Sequence, residues 1–262
     1  MAERAPDLDT RFPSRPGAFA EDPTFAYAPA NLVTGSDTAL DLAVAMGELA
    51  HHLHSAADAD QVVGRVLDAC ISLVDGCTHD GITARTPRGQ VAPRARCPLA
   101  RALDTLQYDL DEGPGPQAIR ESRTIHAAEL ATDPRWPRFG PRAADLGALS
   151  VLTCRLFTGD RATAAINLYG TAPHAFTTND EIAAAVIAAH ASVAIDSVRT
   201  RTQLAEAIRT RQLIGEAVGI LKERHQVSSQ QAFNRLRAAS QDLNVKLRVI
   251  AEHLTTDATQ LR

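Results

Sequence analysis

The chain has 262 residues, room for one large domain or two modest ones. Its net charge of −4 hides an asymmetry. Residues 199–262 carry eleven Lys and Arg against six Asp and Glu, a balance of +5 that leaves −9 on the other 198 residues. Four irregularly spaced cysteines (Cys70, Cys77, Cys97, Cys154) argue against a disulfide framework, and a charged start without an apolar core argues against a signal peptide. The most apolar stretch, Ile182–Ile195, is interrupted by His190 and Ser192 and is too short to span a bilayer. A cytoplasmic protein with no membrane partner is the expectation.

In chain order, residues 1–35 are rich in Pro, Ala and charge without periodicity, which predicts a loosely ordered arm. From Ser36 or Asp37 the spacing of Leu40, Ala43, Leu49 and Leu53 predicts a helix. A second helix is predicted over about Asp60–Val74. Gly81–Arg85 and Gln90–Ala95 read as short strands bounded by Gly and Pro. A short helix follows at Pro114–Glu121. A proline-stiffened loop at 133–139 leads into a helix at Pro141–Leu146. Ala148–Phe157 and Ala162–Tyr169 are the clearest strands, joined by a hairpin turn over Thr158–Arg161. The fold class predicted is α+β: an antiparallel sheet flanked by helices.

No proline occurs after Thr178, and only Gly215 and Gly219 could interrupt a helix. Ile182, Val186, Ala189, Val193 and then Leu204, Ile208, Ile214, Val218 and Leu221 continue an apolar seam at steps of three and four. The seam predicts a long connecting helix that either pairs with a second copy as a coiled coil or folds back on its own domain.

The tail predicts a bundle of three short helices. The first ends near Gln226. Ser228 with Gln231 forms a capping box for a second helix running to about Gln241, and Asn244 is expected to cap a third that reaches about Leu254. Ala232, Phe233, Leu236, Ala239 and Ser240 share one face, as do Leu247, Ile250, Ala251 and Leu254. Residues two apart on a helix lie about 200° apart. Arg235 and Arg237 therefore border opposite sides of their stripe, and so do Lys246 and Arg248. A polyanion is expected to use one residue from each pair together with the amino end of the third helix, where Asn244 could meet phosphate. Lys222 and Arg224 close the first helix and either meet the polyanion or offset its negative pole.

Other residue types carry weaker signals. His51, His52 and His54 point to different sides of a helix, and no Cys/His spacing resembles a zinc site. Cys70 and Cys154 read as buried thiols. Cys97, in a loop-like Arg-Cys-Pro, is the best candidate for a reactive one. Trp136, with Tyr108, could floor a small-molecule pocket, or Trp136 could anchor its own loop. Asp109, Asp111 and Glu112 could meet a ligand amine or form a solvated loop. No nucleophile–base–orienter set and no phosphate loop is present, so no enzyme activity is expected.

Residues 213–254 contain I-G-E-A-V-G-I-L-K-E-R-H, then S-x-x-Q-A-F-x-R-L-R-x-x-S-Q and N-x-K-L-R-x-x-A. This segment resembles the ANTAR module, the RNA-binding antiterminator output of bacterial regulators. The resemblance implies a helical dimer that binds a paired-hairpin RNA whose formation excludes a terminator. Residues 40–195 resemble a GAF sensor domain of the kind fused to ANTAR in actinobacterial regulators, on Q-Y-D-L-D-E-G-P at 107–114, D-P-R-W-P-R-F at 133–139 and A-I-N-L-Y-G at 165–170. Many fused relatives place a cysteine after the Gly-Pro pair; here Gly115-Pro116 follows, which speaks against thiol sensing at that position.

The expectation is therefore an arm (1–35), a GAF-like sensor (36–198) and an ANTAR domain (199–262) on one continuous helix. Its output residues would be Lys222, Arg224, Arg235, Arg237, Asn244, Lys246 and Arg248. Its partners would be nascent hairpin RNA, a second copy, and an unknown small-molecule or protein input; the cofactor is unknown. The alternatives are a regulator whose tail binds a protein, and a GAF-fold small-molecule reductase.

Overall fold

The computed structural model describes residues 37–85, 91–95, 97–158 and 161–260. The expected arm at 1–35 and the tip of the expected hairpin turn lie outside the described residues. Residues 45–262 form one compact unit. The elements are α1 (Asp37–His54), α2 (Ala59–Leu73), β1 (His79–Arg85), β2 (Val91–Ala95), α3 (Pro98–Asp109), α4 (Pro114–Glu121), β3 (Ile125–Ala127), α5 (Phe139–Asp145), β4 (Ser150–Thr158), β5 (Arg161–Gly170), α6 (Thr178–His225), α7 (Ser229–Asp242) and α8 (Leu247–Gln260).

The five strands form an antiparallel sheet in the order β2-β1-β5-β4-β3. Two elements carried no sequence signal. One is α3, started by Cys97 as N-cap with Pro98 in its first turn, so Cys97 is a helix cap rather than a loop residue. The other is β3, three residues long and recruited by pairing with Val151–Thr153.

Alternation along the strands splits the domain into two cores. Leu152, Cys154 and Leu156 of β4 and Ile166 and Leu168 of β5 are buried on the face that receives α6; α2 packs against β1 and α6. Val151, Ala165 and Tyr169 point the other way, into a cluster with Leu103, Ala118, Ile125, Trp136 and Phe139 beneath α3, α4 and α5. Cys70 and Cys154 are buried as expected, and so is Cys77.

Helix α6 is 48 residues long, opened by a Thr177–Asp180 capping box and closed by Gln226 in a left-handed conformation. It is the one helix among the described residues long and apolar enough to cross a membrane, with 44% of its apolar window buried inside the protein. The helix runs on through His190 and Ser192, which carries its apolar window past the Ile182–Ile195 stretch read from the sequence. Ala183, Ala184, Ile187, Ala188, Ala191 and Ala194 are buried along it. Residues 199–209 are exposed throughout, a bare segment between the sheet and the tail.

In the tail, Ala217 of α6, Leu236 of α7 and Ala251 of α8 form a small core. Ile214 and Leu221 pack on that core, so the expected seam divides: its later members serve the tail, while Leu204 and Ile208 stay exposed. The Ser228–Gln231 capping box opens α7 as expected. Asn244 does not cap α8. It has φ 52° and ends α7: its N–H reaches the Gln241 carbonyl, and the Val245 N–H reaches the Ser240 carbonyl at 3.1 Å. This is a Schellman termination, which suits Asn because it tolerates the left-handed region better than other side chains with a Cβ.

Candidate functional site

The face of the sheet under α3 and α4 carries more buried polarity than a packed core needs. Thr83, Asp104, Gln107, Thr153 and Asn167 are fully buried. Asp104 Oδ1 accepts from the Tyr169 hydroxyl at 2.7 Å and from Asn167 Nδ2 at 2.9 Å. Thr153 donates to Asn167 Oδ1 at 3.0 Å, and Gln107 Nε2 donates to the Tyr169 oxygen at 2.8 Å. Gln107 Oε1 in turn accepts from the Gly115 N–H at 2.6 Å. Asp104 Oδ2 has no hydrogen-bond partner among the described residues. It presses on Gly81, where a Cβ would overlap it, so the strand glycine admits the carboxyl. Burial pushes the Asp104 carboxyl up to about 7, against the pull of Tyr169 and Asn167. Burial likewise raises the Tyr169 phenol well above its ordinary value, with the neighbouring Asp104 adding to it.

The three segments that carry the sensor resemblance meet around this network. Gln107 comes from the first, Asn167 and Tyr169 from the last. The middle one enters through Trp136, 2% exposed, whose indole N–H donates to Gln117 Oε1 at 3.0 Å while Phe139 packs against its ring edge-on. Trp136 thus anchors its loop to α4. Tyr108 is half-buried on α3. Glu112 is not a solvated loop residue: it accepts from the backbone N–H groups of Arg138 and Phe139 at 2.6 and 2.8 Å and from Arg138 Nε at 3.0 Å. Burial opposes its ionisation, yet these donors hold its carboxyl below the usual range.

Asp104 and Thr83 escaped the sequence reading because neither lies in a motif. The usable signal was Gly81 inside a strand, which marks a close approach.

Cys97 is half-buried at the start of α3. Its sulfur accepts from the Ala100 N–H and lies 3.7 Å from His79 Nδ1. Among the described residues no group of three His, Cys, Asp or Glu side chains is placed to hold a metal ion.

In the tail, Lys222, Arg224, Arg235, Arg237, Asn244, Lys246 and Arg248 are all exposed. Lys222 and Arg224 lie in the last turn of α6. Lys246 precedes α8, and its carbonyl accepts from Val249 and Ile250 in the first turn, so it marks the helix's amino end.

A family model for the GAF domain matches residues 56–196, and one for the ANTAR domain matches residues 202–254. No curated protein matches the chain. Solved structures similar to it include free methionine-R-sulfoxide reductase from Neisseria meningitidis in complex with its substrate (14% identity, 64% of this chain and 96% of that one, TM-score 0.46). A GAF domain from an Acinetobacter phosphoenolpyruvate-protein phosphotransferase is similar at 16% identity (63% and 97%, TM-score 0.44). An N-acylhomoserine lactone dependent LuxR family transcription factor, CepR2 from Burkholderia cenocepacia, is similar at 12% identity (60% and 97%, TM-score 0.47). By the match over more than half its length, the chain belongs to the GAF domain family and carries an ANTAR domain after its GAF domain, the order of a GAF–ANTAR regulator.

Proposed function

We propose that this protein is a cytoplasmic, dimeric antitermination regulator: its ANTAR domain binds paired-hairpin RNA in nascent transcripts, and its GAF domain adjusts that binding to an input. The observation that carries the reading is the ANTAR match over 202–254 on a folded three-helix tail whose basic side chains are all exposed. The body of the chain is acidic and the tail basic, which suits a polyanion held away from the sensor. Lys222, Arg224, Arg235, Arg237, Lys246 and Arg248 are the candidate phosphate contacts, with Lys246 and Arg248 at the amino end of α8. Asn244 remains a candidate polar contact through its exposed amide, while its backbone closes α7. The only aromatic of the tail, Phe233, is half-buried. Recognition therefore rests on backbone shape, loop bases and charge rather than on stacking. Tyr108 stays the proposed pocket residue of the sensor, with Trp136 the anchor of its loop, in a regulator rather than an enzyme.

The test is anisotropy of a labelled two-hairpin RNA titrated with the full chain, against a single hairpin and an unstructured strand. Preferential binding of the two-hairpin RNA is expected. Equal binding to all three, or none, overturns the reading, and recovery of one stoichiometric protein on the tail with no RNA crosslink replaces it by a protein-interaction role.

A further inference from the structure

Helix α3 is held to the sheet as much by polar bonds as by apolar burial. Of its four buried residues, Ala100 and Leu103 are apolar and Asp104 and Gln107 are polar. The polar pair bridges to two other elements. Asp104 accepts from Asn167 and Tyr169 of β5, while Gln107 donates to the Tyr169 oxygen and accepts from the Gly115 N–H at the start of α4. The second Asp104 oxygen lies against Gly81 of β1 and has no hydrogen-bond partner among the described residues. The charged groups nearby are engaged elsewhere. Arg101, one turn earlier on α3, is exposed and reaches the Ala95 carbonyl, and Arg94 of β2 pairs with Asp60. On β1, His79 lies beside Cys97, and Asp80 points to the other face by alternation. Neither α4 nor α5 buries a charged side chain. The titratable groups on the Asp104 side of β5 and α3 are the phenols of Tyr169 and, beside it, Tyr108.

We propose that Asp104 is a proton-operated latch: with its carboxyl protonated α3 is docked on β1 and β5, and with its carboxyl ionised α3 is released from the sheet. The inference deepens the regulator reading above by naming the proton as an input to the sensor. That role as input rests on the regulator reading; the latch itself does not. The physical reason is the asymmetry of the two forms. A neutral carboxyl buried with one unbonded oxygen is tolerable, whereas a buried charge with no cation is costly, and only a small fully buried apolar face otherwise holds α3 down. Opening carries the carboxyl into water, which takes its proton. Exposed, the acid ionises near its ordinary 3.8; docked, burial pushes it up to about 7. Between those values the docked form keeps a proton that the open form has lost. Docking is therefore at full strength below about pH 4, weakens up to tenfold per pH unit through the interval, and levels off above about pH 7. Release also frees the Gln107 bond to Gly115, so the start of α4 loosens with α3.

The experiment is amide hydrogen exchange of the full chain without RNA from about pH 5 to pH 8, wild type against Asp104→Asn. Each α3 amide is compared with the same amide of the variant at the same pH, so the intrinsic pH dependence of exchange cancels. Protection over residues 103–109, wild type relative to variant, is expected to fall at least tenfold across that range. A flat ratio overturns the latch. At pH 8 the wild-type α3 amides should also be at least tenfold less protected than those of β4. Equal protection would mean that α3 opens only when the whole domain unfolds, and overturns the latch as well. If Asp104→Asn does not fold, Tyr169→Phe carries the test. It removes a donor to the ionised carboxyl and should move the fall in protection to higher pH; a fall at an unchanged pH overturns the latch. Affinity for the two-hairpin RNA is then measured at pH 6 and pH 8. A change of threefold or more in wild type that Asp104→Asn lacks supports the proton as input, and identical changes in both overturn that role. An α3 that responds in a protein that binds no hairpins leaves the latch standing and sinks the RNA reading.

Discussion

The Tyr169 hydroxyl donates to Asp104 Oδ1 at 2.7 Å, joining residues 65 apart in the chain. The bond fixes α3 to the central strand β5 at a point where Asp104 is fully buried and one of its oxygens has no partner among the described residues. A carboxylate in that position would be a buried charge facing no cation among the described residues, which favours the neutral acid.

Asp104 is held at about 7, above its ordinary value near 3.8. For an acid raised in the folded state, the contribution to stability is complete below the unfolded value and disappears as pH rises through the folded one. Wild-type melting temperature should therefore fall between about pH 4 and pH 8 relative to Asp104→Asn, whose amide keeps an acceptor for Tyr169 and Asn167 without titrating. Calorimetry of both proteins across that range checks it; parallel curves would remove Asp104 as the cause.

Glu112 behaves in the opposite sense. Its folded value is depressed, so its contribution is present at neutral pH and is lost as pH falls through that value. Glu112→Gln should cost roughly 1.5–3 kcal/mol at pH 7, the range for hydrogen bonds to a charged group. It should also flatten the acid side of the stability curve. Urea titrations at pH 7 and pH 3.5 give both quantities.

Trp136 is the single tryptophan and sits in the core beneath α4. Trp136→Ala should cost about 3–5 kcal/mol, through the cavity and through the unpaired Gln117 oxygen. A loss below about 1 kcal/mol by denaturant titration would mean that the loop is not anchored there.

The two ends of α7 can be separated. Ser228→Ala removes a capping-box hydroxyl and should cost about 0.5–2 kcal/mol of tail stability. At Asn244, φ 52°, glycine should be neutral or mildly stabilising and valine clearly destabilising, because only valine is strained there. Circular dichroism melts of the full chain would show whether the tail transition moves in that order.

Lys246→Ala or Arg248→Ala, whichever residue of the pair faces the RNA, should weaken two-hairpin RNA binding while leaving the melting temperature in place. Each phosphate contact removed should lower the slope of log affinity against log salt by about 0.7–0.9. A unit change in slope for one residue and none for the other would say which side of α8 faces the RNA.

Much of this was legible in the residues. Helical periodicity, the Ser228–Gln231 box and the proline-free run after Thr178 announce α6, α7 and α8 because local interactions specify them. The alternation in Ala148–Phe157 and Ala162–Tyr169 announces β4 and β5 for the same reason. The sequence by itself also determined the order of sensor and output, since their motifs are contiguous strings. What only the tertiary structure decided are relations between distant residues: that β3 pairs with β4, that α3 brings Asp104 onto Asn167 and Tyr169, that Glu112 grips the start of α5. Asn244 shows the limit most sharply. Its residue type suits either end of a helix, and only its backbone conformation assigns it to the end of α7 rather than the start of α8.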